Sequence, residues 1–577
     1  MLVLEAMKMQ HGIHLDGAAC VSALCVAAGD FVNEGQLLLL LSPVDQAQVE
    51  AVATLAPDLD HVRPDLQRVF DRDALTLDAA RPAAVARRHA AGGRTARENV
   101  DDLCDPDTFI EYGAYAIAAQ SRRRTLDDLV RNTPADGMVT GIGAVNGADF
   151  GPERSRCAVM AYDYTVLAGT QGWRNHHKKD RLLGLAHQWK LPTVLFAEGG
   201  GGRPGDVDMP IIAGLNNHTF SQFAALSGKV PVVGVVHGRC FAGNAALLGC
   251  ADVIIATQAA NIGLGGPAMI EGGGLGLFRP EEIGPAADLH HNGVIDILVA
   301  DEAAAVAATR QYLGYFQGRT QGWTAGDARA LRHLIPENRL RVYDMRAVLH
   351  ALADTGSVLE LRAGFGAGMV TALIRIEGRP IGVFANNPHH LGGAIDPDGA
   401  DKAARFMQLC NAHGLPILSL CDTPGFMVGP EVERQAQVRH ACRLFVTAAH
   451  LQVPCFTVVV RKGYGLGAQA MAVGGFDAPV FTVAWPTGEF GGMGLEGFVK
   501  LGYRKELEAA AEGPERAALY DQLVAQQYAS GSAINMATTL EIDAVIDPAE
   551  TRTWLTRGLA STGTPSRSSG ARFVDVW

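Results

Sequence analysis

Two glycine-rich turns carry the residue types from which an anion-stabilising site can be built. Gly238-Arg239-Cys240-Phe241-Ala242-Gly243-Asn244-Ala245 follows the apolar run Val230-Pro231-Val232-Val233, and Arg461-Lys462-Gly463-Tyr464-Gly465-Leu466-Gly467-Ala468 follows Val453-Pro454-Cys455-Phe456. Each turn opens a stretch with helical patterning, and its small residues let a substrate oxygen approach the backbone N–H groups at a helix N-terminus. Amides placed in this way donate to an oxygen on which negative charge develops, as in an oxyanion hole. A third chemical signal stands at the front of the chain, Glu5-Ala6-Met7-Lys8-Met9. A lysine on a tight hairpin tip is open to acylation from every side, and the flanking methionines give a soft apolar collar to an amine that loses its charge when modified.

Other suggestive residues do not assemble a site. Glu198-Gly199-Gly200-Gly201-Gly202-Arg203-Pro204-Gly205 lacks both the Gly-Lys-Ser/Thr of a P-loop and the spacing of a dinucleotide fingerprint. The adjacent pairs His290-His291 and His389-His390 point to different sides of either regular structure, so a shared ion is not expected, and no metal is assigned. The ten cysteines are scattered, form no CxxC pair and fall mostly in apolar runs; they read as reduced core residues rather than zinc ligands or nucleophiles.

The elements that must position the turns repeat. Lys178 to Pro192 (KKDRLLGLAHQWKLP) and Lys402 to Pro416 (KAARFMQLCNAHGLP) are each a helical run ending in Leu-Pro, followed by the apolar strands Thr193 to Ala197 and Ile417 to Cys421. Each strand leads to a Gly-containing loop and then to the second strand and turn described above, at an offset of 224 residues for the helix and 223 for the second strand. Two copies of one unit are present. Alternation of helix, buried strand and glycine turn predicts parallel sheet with crossover helices. Residues 1–43 instead alternate like short strands, with Asp16-Gly17 and Ala28-Gly29-Asp30 as turns. From Pro43 to about Arg88 the chain is charged and Ala-rich, punctuated by Pro57, Pro64 and Pro82, with helix-like stretches such as Asp65 to Asp71, and reads as a tether.

Composition agrees with a large α/β enzyme: 577 residues, 48% hydrophobic but 7% aromatic, with 67 glycines, so aliphatic side chains and close backbone contacts supply the packing. A net charge of -12 without long like-charge blocks argues against a nucleic-acid or polybasic membrane partner. With no signal-peptide pattern and no apolar run of membrane-spanning length, a cytoplasmic location is expected.

Glu5-Ala6-Met7-Lys8-Met9 resembles the attachment loop of biotinyl carrier domains, and Val26-x-x-Gly29-Asp30-x-Val32-x-x-Gly35-Gln36-x-Leu38 resembles their closing hairpin. Arg87 to Glu98, Asp105-Pro106-x-x-Phe109-Ile110-Glu111, Thr133 to Gly141, Asp163-Tyr164-Thr165-Val166, Asp422-Thr423-Pro424-Gly425-Phe426 and Ala484-Trp485-Pro486-Thr487 resemble the carboxyltransferases of biotin-dependent acyl-CoA carboxylases, and the likeness runs to about Pro548. It implies a duplicated crotonase (ClpP-like) α/β fold preceded by a partial all-β biotinyl domain. The boundaries expected are 1–43 for the biotinyl part, 44–88 for a linker, 89–325 for an acyl-CoA domain and 326–577 for a biotin domain. The order of the motifs is closest to single-chain carboxylases in which biotin carboxylase, carrier and carboxyltransferase follow one another.

The resemblance implies transfer of a carboxylate from carboxybiotin to the α-carbon of an acyl-CoA. Amides near Ala242 and Gly243 would hold the enolate oxygen and those near Leu466 and Gly467 the ureido oxygen of biotin, while Asn244 stands where relatives commonly have Gly. Gln469 takes the place of a residue that lines the acyl end of the pocket, and the loops at Gly199 and Gly265 to Gly276 are expected to touch CoA. Lys8 would carry biotin, installed by a biotin protein ligase; a biotin carboxylase subunit or domain and a homo-oligomer are the further partners implied. Only seven residues precede Lys8, half of a carrier domain, so an upstream start or strands from another chain is expected. The rival readings are a biotin-dependent decarboxylase or transcarboxylase using the same site and a non-catalytic carrier or scaffold. A hydratase fits less well, because neither turn contains a glutamate to act on water.

Overall fold

Strand alternation and helical runs resolve into the elements expected of them in a computed structural model, which describes residues 2–44, 58–209, 214–562 and 572–577. The chain divides into two compact units, 1–69 and 70–577. In the first, β1 (Leu2–Ala6) pairs antiparallel with β2 (Met9–Ile13), and β3 (Ala19–Leu24) with β4 (Leu39–Pro43). Val3, Met9, Val21, Leu24, Leu37 and Leu40 of these hairpins are exposed, so the alternating strands form no closed core among the described residues. Pro57, with the adjoining part of the expected tether, lies outside the described residues.

The second unit holds both copies of the repeat. The first is a seven-stranded sheet built from β5 (Ile110–Glu111), β6 (Met138–Ala144), β7 (Arg156–Tyr162), β8 (Thr193–Phe196), β10 (Val232–Val236), β12 (Val253–Thr257) and β14 (Ile297–Val299), in the order β14-β12-β10-β8-β7-β6-β5. Strands β5 to β7 pair antiparallel and the rest parallel. Short strands β9 (Gly199–Gly200), β11 (Arg239–Phe241) and β13 (Asn261–Gly263) form a small parallel sheet beyond their ends. The second sheet runs β15 (Leu359–Leu361), β16 (Met369–Ile376), β17 (Arg379–Asn386), β18 (Ile417–Thr423), β19 (Cys455–Tyr464), β20 (Phe481–Ala484) and β22 (Ala544–Val545), with β21 (Glu489–Gly491) against the end of β19. Register repeats with topology: Thr193 lies opposite Val232 and Ile417 opposite Cys455, at the offsets read from the sequence. The expected division near residue 326 falls between the two sheets.

Alternation along each central strand distributes the core. Val194 and Phe196 of β8, and Ile417 and Cys421 of β18, join one cluster shared by both halves, together with the helices Glu302–Gln317 and Pro397–His413. Leu195, and Leu418 with Leu420, face two outer clusters, one for each half. Within the expected linker, helix Pro82–Ala90 begins beside Arg81, which is buried and bonds Asp163 and Thr165, and contains Arg88, which bonds Glu198. That charged, Ala-rich stretch conceals its docking because the partner acids lie about a hundred residues away in sequence. Cys20, Cys25 and Cys442 are exposed, unlike the six cysteines that are buried as expected, since the open hairpins and an outer helix face hold them.

Ion pairing closes the seam between the halves. Asp252 accepts from Val232 N–H and pairs with His413 at 3.0 Å, while Asp296 accepts from Ile254 N–H and pairs with Arg362 at 3.0 Å. Arg405 reaches both, donating to Asp252 O at 2.6 Å and lying 3.6 Å from the Asp296 carboxylate. All four groups Asp252, Asp296, Arg362 and Arg405 are buried, so removing one partner strands a charge. Arg405→Ala is expected to lower the unfolding free energy by about 3–5 kcal/mol, measured by urea denaturation.

Candidate active site

Each glycine-rich turn is a strand-to-helix junction whose first residue is left-handed. Ala242 has φ 54° and ψ -126° between β11 and the helix Gly243–Leu248, and Gly465 has φ 56° at the start of the helix Gly465–Met471. The two positions correspond through the repeat. For an alanine this conformation costs on the order of 1–3 kcal/mol, so the surrounding contacts must enforce it. The Ala242 N–H is spent on Gly263 O at 3.0 Å, which extends the β11–β13 ladder by one rung. Among the described residues the next two amides, Gly243 and Asn244, have no acceptor, and neither have Leu466 and Gly467 in the second copy. These four N–H groups stand in the first turns of two helices, where none has an intrahelical acceptor; Gly243 is half-buried, and Asn244 and Gly467 are buried. Leu466 and Gln469 are exposed.

Behind each turn an acid is buried at a strand end. Glu198, after β8, takes both Arg88 Nη groups at 2.7 and 2.9 Å and lies 3.6 Å from His237. Asp422, in β18, accepts from Arg461 Nε at 3.1 Å, Tyr343 Oη at 2.7 Å and Lys462 N–H at 3.1 Å. The loops before these strands also repeat. Leu167, Ala168 and Gly169 are left-handed in succession, as are Leu391, Gly392 and Gly393, and a β-carbon at either Gly169 or Gly393 would collide with the carbonyl of the matching acid, Glu198 or Asp422. The two acids are therefore scaffold for the turns, with their charges already neutralised by Arg88 and Arg461.

A half-buried and a buried lysine form another matched pair that the sequence contained without revealing their role. Lys178 Nζ donates to Ala135 O and Met138 O, and Lys402 Nζ donates to Phe365 O at 2.8 Å, each tying its core helix to the loop before the first strands. Both open the repeated segments, which was the available signal. Asn244 is a second residue whose function only the structure discloses: its side chain is wholly buried and joined to Gln171, Gly169 O and Glu198 O.

Lys8 lies at the tip of the β1–β2 hairpin. Met7 and Lys8 are the two loop residues, with φ 53° and 66°, the signature of a type I′ turn, and Met7 is 98% exposed. Among the described residues no group of three His, Cys, Asp or Glu side chains is arranged to hold a metal ion, and no helix is long and apolar enough to cross a membrane. The buried Cys240 and Cys421 thiols are pushed up by burial, which holds them protonated. A cavity of about 310 Å³ lined in part by Phe150, Tyr315 and Trp323 shares no residue with either turn.

Comparison with known proteins places these features in a family. The model of the carboxyl transferase domain matches residues 87–575. The methylmalonyl-CoA carboxyltransferase 12S subunit of Propionibacterium freudenreichii subsp. shermanii is 30% identical over 85% of this chain and 92% of its own. The propionyl-CoA carboxylase beta chain of Saccharopolyspora erythraea is 32% identical over 87% and 94%. Among solved structures, a single-chain, multi-domain long-chain acyl-CoA carboxylase aligns with 96% of this chain at 56% identity and a TM-score of 0.83. This chain spans about half of that protein, 53% of its length. The transcarboxylase 12S structure, described as a hexamer with methylmalonyl-CoA bound, aligns with a TM-score of 0.74 at 26% identity over 89% of this chain.

Burial lowers the Lys402 ammonium from its ordinary 10.5 to about 7. Between about pH 7 and 10.5 the unfolded chain therefore binds the extra proton, and folding stability rises with pH across that window. Lys402→Met is expected to reduce the slope of unfolding free energy against pH there, as read from urea titrations.

Proposed function

This chain belongs to the carboxyl transferase domain family, and on that premise we propose that it transfers a carboxylate from carboxybiotin to the α-carbon of an acyl-CoA. The observation that carries the reading is the matched pair of strand-to-helix turns, each presenting two amides without an internal acceptor. Transfer develops negative charge on two oxygens, the thioester oxygen when the α-carbon is deprotonated and the ureido oxygen when carboxylate leaves, and neither calls for a charged side chain. Free N–H pairs are suited to both.

In this reading Gly243 and Asn244 N–H hold the thioester oxygen, and Leu466 and Gly467 N–H hold the ureido oxygen. The first pair moves one residue along from Ala242 and Gly243, because Ala242 N–H already serves Gly263 O and because Gly243 and Asn244 are the counterparts of Leu466 and Gly467 in the repeat. The biotin group fits the second turn by its donor pair and fits Lys8 by the exposed hairpin tip; when bound it supplies the carboxylate, and its ureido nitrogen can take the α-proton. Gly467 has a structural duty as well: a β-carbon there would lie 2.6 Å from Gly425 Cα, so the Asp422–Phe426 loop packs directly on the donor peptide. Gln469, one turn further along the exposed face, borders the acyl end.

Identity of 56% to a long-chain acyl-CoA carboxylase, against 30% to a methylmalonyl-CoA carboxyltransferase subunit and 32% to a propionyl-CoA carboxylase beta chain, supports a long acyl substrate. Biotin on Lys8 requires a biotin protein ligase, and its carboxylation requires a biotin carboxylase, as a separate subunit or a domain. A homo-oligomer and a cytoplasmic location complete the proposal. The likeness to a transcarboxylase subunit supports a second reading in which the same turns take carboxylate off one acyl-CoA.

Two assays test these assignments. ATP-dependent incorporation of labelled bicarbonate across acyl-CoAs of increasing chain length, with a competent biotin carboxylase, is expected to favour long chains; labelling of none would defeat the carboxylase reading. Lys8→Ala is expected to abolish that overall reaction while malonyl-CoA-dependent carboxylation of free biotin continues at nearly the wild-type rate. Gly467→Ala is expected to lower the free-biotin reaction by about 10²- to 10³-fold, the usual effect of losing one preorganised donor.

A further inference from the structure

The first turn has a support that the second lacks. From the core helix Trp173–Trp189, Lys179 Nζ donates to Tyr162 Oη at 2.7 Å and to Gln171 Oε1 at 3.3 Å. Gln171 Nε2 donates in turn to Asn244 Oδ1 at 2.9 Å, and Asn244 Nδ2 donates to Glu198 O at 2.7 Å and Gly169 O at 3.0 Å. Lys179 and Asn244 are wholly buried and Gln171 nearly so.

The chain has only one direction. An ammonium has no acceptor and the two terminal carbonyls have no proton, so Gln171 must face Lys179 with its oxygen and Asn244 with its nitrogen, and Asn244 must face the carbonyls with its nitrogen. A cation followed by two aligned amides polarises every bond in the series in the same sense. Burial lowers Lys179 to about 7, and in either protonation state its N–H groups can donate to Gln171 Oε1, which has no proton of its own.

Asn244 is at once the end of this chain and the bearer of one of the turn's N–H groups that have no acceptor among the described residues. A β-carbon on the adjoining Gly243 would lie 2.6 Å from Gln171 Nε2, so the Gln171 amide sits directly against the donor peptide. In the second copy the counterpart of Asn244 is Gly467, which has no side chain and is pressed instead against Gly425. One donor pair is held by a polar chain and the other by backbone packing.

We propose that Lys179, Gln171 and Asn244 are positioning residues which, through this directed chain, aim the Gly243 and Asn244 amides at the thioester oxygen of the acyl-CoA. The proposal rests on the assignment of the first turn to the acyl-CoA oxygen. The chain fixes the peptide between Gly243 and Asn244 from behind, opposes relaxation of the left-handed Ala242, and leaves the two N–H groups without an internal acceptor among the described residues. Its effect is on the developing charge rather than on CoA binding, so it governs kcat more than KM.

The test uses malonyl-CoA-dependent carboxylation of free biotin, with kcat and KM measured for wild type, Gln171→Glu, Asn244→Ala, the double variant and Lys179→Arg. Gln171→Glu keeps an oxygen that faces Lys179, deletes the donor to Asn244, and adds a negative charge that Lys179 can pair. Misaimed donors are expected to lower kcat by about 10- to 100-fold, with KM for malonyl-CoA changed by no more than about twofold and with the thermal unfolding midpoint of Gln171→Glu near wild type. Because the residues act in series, the double variant is expected to be no slower than the poorer single variant, and Lys179→Arg, which keeps the cation, to retain more activity than Gln171→Glu. A wild-type kcat in Gln171→Glu, a rise in KM alone, or losses that multiply in the double variant would overturn the proposal. Should Asn244→Ala fail to fold, Gln171→Glu and Lys179→Arg decide the matter. Wild-type protein that fails to carboxylate free biotin from malonyl-CoA overturns instead the functional reading beneath it.

Discussion

Everything at the candidate site depends on a single backbone constraint, a left-handed residue at the point where a parallel strand becomes a helix. Ala242 and Gly465 turn the chain so that the next two N–H groups escape both the sheet ladder behind them and the helix ahead. The residue at the pivot need not be glycine, as Ala242 shows, provided that the neighbourhood supplies the energy to hold it.

That neighbourhood explains the otherwise costly burial of charge around the turns. Glu198 with Arg88, and Asp422 with Arg461, Lys462 and Tyr343, place neutralised acids under the strand ends, while three successive left-handed residues in the preceding loops close onto the carbonyls of those same acids. A buried ion pair adds little net stability against an apolar replacement, but it fixes geometry, since either partner alone would be stranded. The scaffold is built for fixity at the expense of maximal stability. The two halves achieve it by different chemistry: an amide chain ending on Asn244 in one, direct contact of Gly467 with the Asp422–Phe426 loop in the other.

Much of this architecture was legible in the chain itself. The repeat of helix, Leu-Pro, strand and turn gave the parallel part of each sheet and the offset between the copies, while the antiparallel strands β5 to β7 and β15 to β17 lie outside the repeated strand segments. The short-strand alternation around Glu5-Ala6-Met7-Lys8-Met9 gave the hairpin tip at Lys8. Three things stayed hidden for physical reasons. The loss of the Ala242 amide to Gly263 depends on a strand, β13, that reaches the turn from about twenty residues downstream. Arg81 and Arg88 have the look of a solvated tether until Asp163 and Glu198 are folded against them. Asn244 looks like an oxyanion-loop glycine replaced at random, and only its burial among Gln171 and two carbonyls reveals a polar side chain with every hydrogen-bonding atom occupied.

The two-residue tip of the first hairpin carries an implication of its own. Met7 and Lys8 are both held at positive φ, an arrangement usually left to Asn and Gly, and the antiparallel ladder from Leu2 to Ile13 leaves them no other. An enzyme that acted on the Lys8 amine, as proposed above, would meet a preshaped knuckle and have little chain entropy to remove on docking. Recognition by shape of this kind is indifferent to the residues on either flank, but it vanishes with the hairpin: the same five-residue motif in an unfolded peptide would present its lysine in a broad spread of conformations, and the selectivity would be lost.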